Sequence, residues 1–116
     1  MRVSDLVDGQ SYKLFIDDER MPVNPDEWII VRTSDEAMNL VQRKGMPDFI
    51  SFDHDLGGDD TSMKFVHWMI DAYLDNEIDV QPFEYVVHSQ NPIGAQNIKG
   101  ALTSFFKKIE KDRSNQ

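Results

Sequence analysis

Three polar clusters stand out: Asp17-Asp18-Glu19-Arg20, Asp53-His54-Asp55 and His88-Ser89-Gln90-Asn91. Each directly follows a short apolar run rich in β-forming residues: YKLFI at 12–16, DFISF at 48–52 and FEYVV at 83–87. Carboxylates crowded at one place raise each other's pKa, and a hard divalent cation is the simplest compensation. Mg²⁺ takes oxygen ligands, commonly one or two carboxylates with waters and substrate phosphate. Mn²⁺ accepts the same shell and tolerates a histidine. Asp18 and Asp53 are the first-choice metal ligands, with Asp17 and Asp55 next. Neighbouring side chains on a strand point oppositely, so not all four need face one ion.

The remaining cluster residues suit phosphate chemistry. His54 and His88 are candidate general acids or bases, because imidazole titrates near neutral pH. Asp53 joins them as a candidate catalytic group. Ser89 and Asn91 stand where a helix begins, and helix N-terminal amides with a hydroxyl make an anion pocket. Asn91 serves equally as an ordinary N-cap. Arg20 is a candidate phosphate ligand, and Arg20 or Lys64 can neutralise charge or simply be surface side chains. Gly57-Gly58 would let backbone amides approach a phosphate. One acidic pair at a strand end is ordinary solvated capping. Two acidic clusters with a third polar one exceed what capping needs.

These residues need elements to hold them. Residues 12–16 read as a buried strand, 17–27 as a loop rich in Pro and Asn, and 28–31 (WIIV) as a second strand. Thr33-Ser34-Asp35-Glu36 fits a capping box, with Glu36 reaching back to the cap. Ala37, Met38, Leu40 and Val41 follow at helical spacing, and Gly45 and Pro47 end that helix. Residues 48–52 form the third strand. Asp60 or Thr61 caps a second helix striped by Met63, Val66, Met69, Ile70, Tyr73 and Leu74. Residues 83–87 form the fourth strand. Asn91-Pro92 reads as N-cap and N1 of a last helix, buried through Ile93, Ile98, Leu102, Phe105, Phe106 and Ile109. His67 reads as structural. Trp28, Trp68, Phe105 and Phe106 read as core, with no aromatic–basic interleaving of the kind that stacks nucleic acid.

Strands alternating with helices predict an α/β fold with a parallel sheet covered by helices on both faces. Right-handed crossovers place every strand's C-terminal end on one edge, where open α/β sheets bind ligands. Topology alone thus gathers the three clusters.

Composition sets the bounds. The 116 residues suit one domain, taken as 11–110, with 1–10 and 111–116 as flexible ends. No cysteine is present, which excludes disulfides, thiolate metal sites and cysteine nucleophiles. No apolar run reaches the roughly 20 residues that span a bilayer, and no signal peptide is legible. The expectation is a cytoplasmic protein without membrane contact. A formal charge of −9 disfavours non-specific nucleic-acid binding but permits contact with one phosphate or RNA end through a cation.

The motifs LFIDDERMP, ISFDHDLGG and VHSQNPIGAQNI, in that order, resemble the cyclic-phosphate-processing, receiver-like family. The resemblance covers about residues 12–102. It implies a small receiver-like (flavodoxin-like) sheet of about four strands in the order 2-1-3-4. It implies Asp17 and Asp18 as the acidic metal-binding pair, Asp53 at the phosphoacceptor position and Ser89 at the hydroxyl position. Unlike an ordinary receiver, the chain has a loop after the first strand too short for the usual first helix, and no fifth strand with its lysine. His54, Asp55, His88 and Asn91 are additional, which points away from two-component signalling. The expected activity is that of a Mg²⁺- or Mn²⁺-dependent phosphoesterase acting on a cyclic or terminal phosphate of a nucleotide or RNA end. The alternative is a non-catalytic module that binds a phosphorylated ligand or a protein partner.

Overall fold

The computed structural model describes residues 2–7 and 9–115. Its strands and α-helices run β1 (Lys13–Ile16), β2 (Trp28–Val31), α1 (Ser34–Lys44), β3 (Phe49–Phe52), α2 (Ser62–Leu74), β4 (Glu84–Val87) and α3 (Pro92–Ser114), with 3-10 turns at Val3–Asp5 and Pro25–Glu27. The strands form one parallel sheet in the order β2-β1-β3-β4. This is the expected receiver-like order.

The helix ends follow from their caps. Thr33 Oγ1 accepts the Glu36 amide at 3.1 Å, which satisfies one orphan donor of the first turn. The Glu36 carboxylate reaches the Arg32 amide at 2.9 Å rather than the Thr33 amide, so the capping box is displaced by one residue. Thr61 holds the cap position of α2 without a side-chain capping bond. Asp60 instead turns to α1, where its carboxylate accepts from the Ser34 amide at 2.9 Å and the Ser34 hydroxyl at 2.5 Å. Asn91 Oδ1 accepts the Gly94 amide at 2.9 Å and Pro92 opens α3, as expected.

One sheet face carries Leu14, Ile16, Ile29, Val31, Ile50 and Phe52, all buried. Residues two apart on a strand share a face. Buried stripes from the helices join them in one core: Leu40 and Val41 of α1, Phe65, Val66 and Met69 of α2, Ile98, Leu102 and Phe105 of α3. Fully burying a side chain the size of Phe52 or Phe65 contributes about 2–3 kcal/mol. Leu6 and Tyr12 also enter this core, and α3 continues to Ser114. The ends expected to be flexible therefore carry structure at Leu6 and through Ser114, while Met1, Asp8 and Gln116 lie outside the described residues.

The structure differs from expectation in where the helices lie. The crossovers β2–α1–β3 and β3–α2–β4 advance in the same direction across the sheet. Right-handedness then puts both helices on the same face. α1 packs on α2 and α2 on α3, so all three form one layer. A helix between β1 and β2 would cover the other face, but that connection is a loop with one 3-10 turn, Pro25–Glu27. The second face, bearing Ile30, Phe15, Ser51 and Val86 in one row across the sheet, has no α-helix over it among the described residues. Val86 is 47% exposed there.

Candidate functional site

Parallel register builds the site. Ile16, Phe52 and Val87 are neighbours in the ladder. The ladder continues one residue further: the Asp17 amide donates to Val31 O, the Asp53 amide to Ile16 O and the His88 amide to Phe52 O. Asp17, Asp53 and His88 therefore stand side by side. By two-residue alternation they share the face of Phe15, Ser51 and Val86, the one without helices. One ligand atom from each of the three lies within 4.8 Å of the others.

Asp17 is almost wholly buried. Its Oδ1 accepts from the amides of Glu19 and Arg20, each at 2.9 Å. Its Oδ2 meets His88 Nε2 at 2.9 Å, with Arg20 Nε at 3.8 Å. Burial pushes this carboxyl up, but the two amides and the His88 ring outweigh it and hold it below the ordinary range. Asp53 goes the other way: burial and the neighbouring Asp17 charge push its carboxyl up, and His88, Ser89 and Arg20 only partly offset them. The two acids are thus unlike, one held charged and one resisting charge.

His88 lies between the two rows of the face. Its ring stacks on Phe15 with centroids 4.7 Å apart and planes 9° apart. Nδ1 meets Ser51 Oγ at 2.7 Å while Nε2 meets Asp17. With Asp17 as acceptor the Nε2 proton points to the carboxylate, leaving Nδ1 to accept the Ser51 hydroxyl in the neutral ring.

Asp18 and His54 follow the opposite alternation. Asp18 is half-buried and faces the β3–α2 loop, where its Oδ2 lies 3.3 Å from the position a Cβ would take on Gly57. Gly57, at φ +90, supplies a left-handed conformation that side chains disfavour. Asp17 rather than Asp18 thus groups with Asp53. The His54 ring presses on the first turn of α3, and its Nδ1 meets Asp55 Oδ1 at 2.9 Å. Asp55 is exposed, and its Oδ2 accepts from Asn91 Nδ2 at 3.3 Å. His54 and Asn91 together hold the Asp55 carboxyl below the ordinary range. Asp55 lies at the rim, across a polar pocket of about 330 Å³ lined by Arg20, Asp53, Asp55, Ser89, Gln90 and Asn91. Ser89 Oγ accepts the Asn91 amide at 3.0 Å. Lys64 and His67 are exposed on α2.

Two residues escape a reading of the clusters alone. Ser51 has a signal, as the one polar residue in an otherwise apolar strand. Arg32 has none. Its guanidinium donates to the backbone oxygens of Asp17 at 2.9 Å and Arg20 at 2.6 Å, fastening the loop that carries the first cluster.

Among protein families, the model of the Cyclic-phosphate processing Receiver domain matches residues 12–104. No curated protein and no solved structure gives a significant match.

Proposed function

This chain belongs to the cyclic-phosphate processing receiver family, and from that premise we propose that it is a divalent-metal-dependent phosphoesterase. Its substrate is a cyclic or terminal phosphate of a nucleotide or RNA end. The observation that carries the reading is the approach of Asp17, Asp53 and His88 to within 4.8 Å on adjacent strand ends.

The donor set fits a hard cation. Two carboxylates face each other, and the charge resisted by Asp53 is what a cation relieves. Asp17 and Asp53 would hold Mg²⁺ or Mn²⁺, with Asp55 at the rim of the pocket that Asp53 lines. A bound cation of this kind polarises a phosphoryl oxygen and makes water more acidic.

The chain's own groups do the rest. Hydrolysis of a cyclic phosphate adds hydroxide to phosphorus, breaks one P–O ester bond and delivers a proton to the leaving oxygen. His88 is the group placed to move that proton, exchanging its Asp17 bond for one to the substrate. His54 is more covered, 14% exposed, and its bond to Asp55 makes it a positioning residue. Arg20, the Ser89 hydroxyl and the Asn91 side chain line the pocket in which phosphate oxygens would sit.

Incubation with nucleoside 2′,3′-cyclic phosphates and Mg²⁺ or Mn²⁺ tests the proposal, with Asp53→Ala as control. The expected result is metal-dependent ring opening that the control lacks. Turnover equal in both would sink the reading, and tight binding with intact ligand recovered would replace it with a sensor.

A further inference from the structure

The polar pocket has an apolar neighbour. A second cavity, about 420 Å³, lies on the helix-free sheet face, floored by Phe15 and Trp28 and walled by Met21 and Pro22. Arg20 lines both cavities, and His88 touches both chemistries: its Nε2 meets Asp17 while its ring covers Phe15. This volume is in the range of small-ligand sites, about 300–1,000 Å³, which combine apolar walls with a few placed polar groups.

We infer that this slot receives the nucleobase of the substrate whose phosphate lies in the polar pocket. The inference rests on the phosphoesterase reading and names the other half of the ligand. Three observations favour a base over an aliphatic or peptide occupant. Trp28 is half-buried, its indole nearly perpendicular to the rings of Phe15 at 5.8 Å and Phe49 at 5.7 Å; Lys13 Nζ lies over the ring at 5.5 Å, and Trp28 but not Lys13 lines the cavity, so the ring is held in place beside it. Asn24 and Glu27 border the same cavity, so a heterocycle's polar edge meets donors and acceptors there. Arg20 at the seam presents a planar cation both to a phosphate and to a π-face. The cavity exists because the β1–β2 connection is a loop with one 3-10 turn, and among the described residues no α-helix covers it. A net charge of −9 disfavours long nucleic acid, so the occupant is a mononucleotide or the last base of a strand.

The chain's two tryptophans make the test direct. In a Trp68→Phe background Trp28 is the sole tryptophan emitter. Adenosine 2′,3′-cyclic phosphate is titrated against the 2′,3′-cyclic phosphate of methyl riboside, which lacks the base, with Ca²⁺ in place of Mg²⁺ and the ligand recovered afterwards to verify that its ring stayed closed. The expected result is quenching of Trp28 by the adenosine ligand alone, and an affinity about tenfold tighter, as stacking of one base supplies. Trp28→Leu and, should that variant fold poorly, Met21→Ala are expected to narrow the preference, read by calorimetry. Equal affinities with no quenching overturn the base slot and leave the phosphoesterase reading standing. A base preference that persists undiminished in the slot variants also overturns it. Binding of neither ligand overturns both.

Discussion

His54 and Gly94 are in such close contact that no larger residue fits: a Cβ on Gly94 would lie 2.4 Å from His54 Cγ and 2.7 Å from Nδ1. The glycine of the third motif is thus a packing requirement of the histidine in the second. Gly94→Ala is expected to destabilise the protein by about 1–3 kcal/mol, as overpacking does, measured by urea unfolding. In a His54→Ala background the sign reverses, because alanine in a helix is better than glycine by up to about 1 kcal/mol. A double-mutant cycle without that reversal would show that the two do not touch.

The unlike acids give opposite pH signatures. Asp53 titrates higher folded than unfolded, so its contribution is fully present below the unfolded pKa and is lost as pH rises through the folded value. Asp17 titrates lower, so its contribution is present above the unfolded pKa and is lost as pH falls through the folded one. At neutral pH without metal, Asp53→Asn is expected to raise the melting temperature and Asp17→Asn to lower it. Calorimetry checks the pair, and a drop for both variants would contradict this assignment.

Metal should stabilise the fold, since a ligand that binds only the native state raises stability with its excess. Millimolar Mn²⁺ is expected to raise the melting temperature of the wild type. The rise should vanish in Asp53→Ala, which removes one of the two carboxylates.

Ser51 acts through His88. Removing its hydroxyl leaves Nδ1 without the donor it now has, in a place where Ser51 is only 4% exposed. Ser51→Ala is expected to cost about 1–2 kcal/mol and to shift the ¹⁵N resonances of the His88 ring. A merely volumetric role for the serine would leave those resonances in place.

Asp60 ties the loop after β3 to the start of α1 through Ser34. Asp60→Ala removes a partner for the first turn, at a cost of about 1 kcal/mol in the manner of a lost N-cap. Denaturant titration measures it, and amide exchange at Ser34 should quicken.

Much of this was legible from residue order. The strand-then-acid pattern at Ile16–Asp17 and Phe52–Asp53 fixed which residues share an edge, because parallel register leaves them little choice. Asn91-Pro92 announced α3 for a purely local reason. What local pattern does not carry is face. Asp17 and Asp18 are equivalent as letters, and only their position in the ladder sends one toward Asp53 and the other toward Gly57. Trp28 reads as core for the same reason: an aromatic in a β-rich run is buried unless a whole helix is missing above it. Arg32 was invisible because its partners are backbone oxygens, which no sequence spells out.

The bonds from Arg32 to the carbonyls of Asp17 and Arg20 have a kinetic meaning. Freezing one backbone residue costs roughly 1–2 kcal/mol of conformational freedom, and here that loss is taken once, as the protein folds, rather than at every encounter. On the phosphoesterase reading, a molecule arriving at the open edge would meet a doorway already framed. Without the guanidinium, capture would wait on the doorway reassembling, and arrival would slow even though every reacting group was still on the chain.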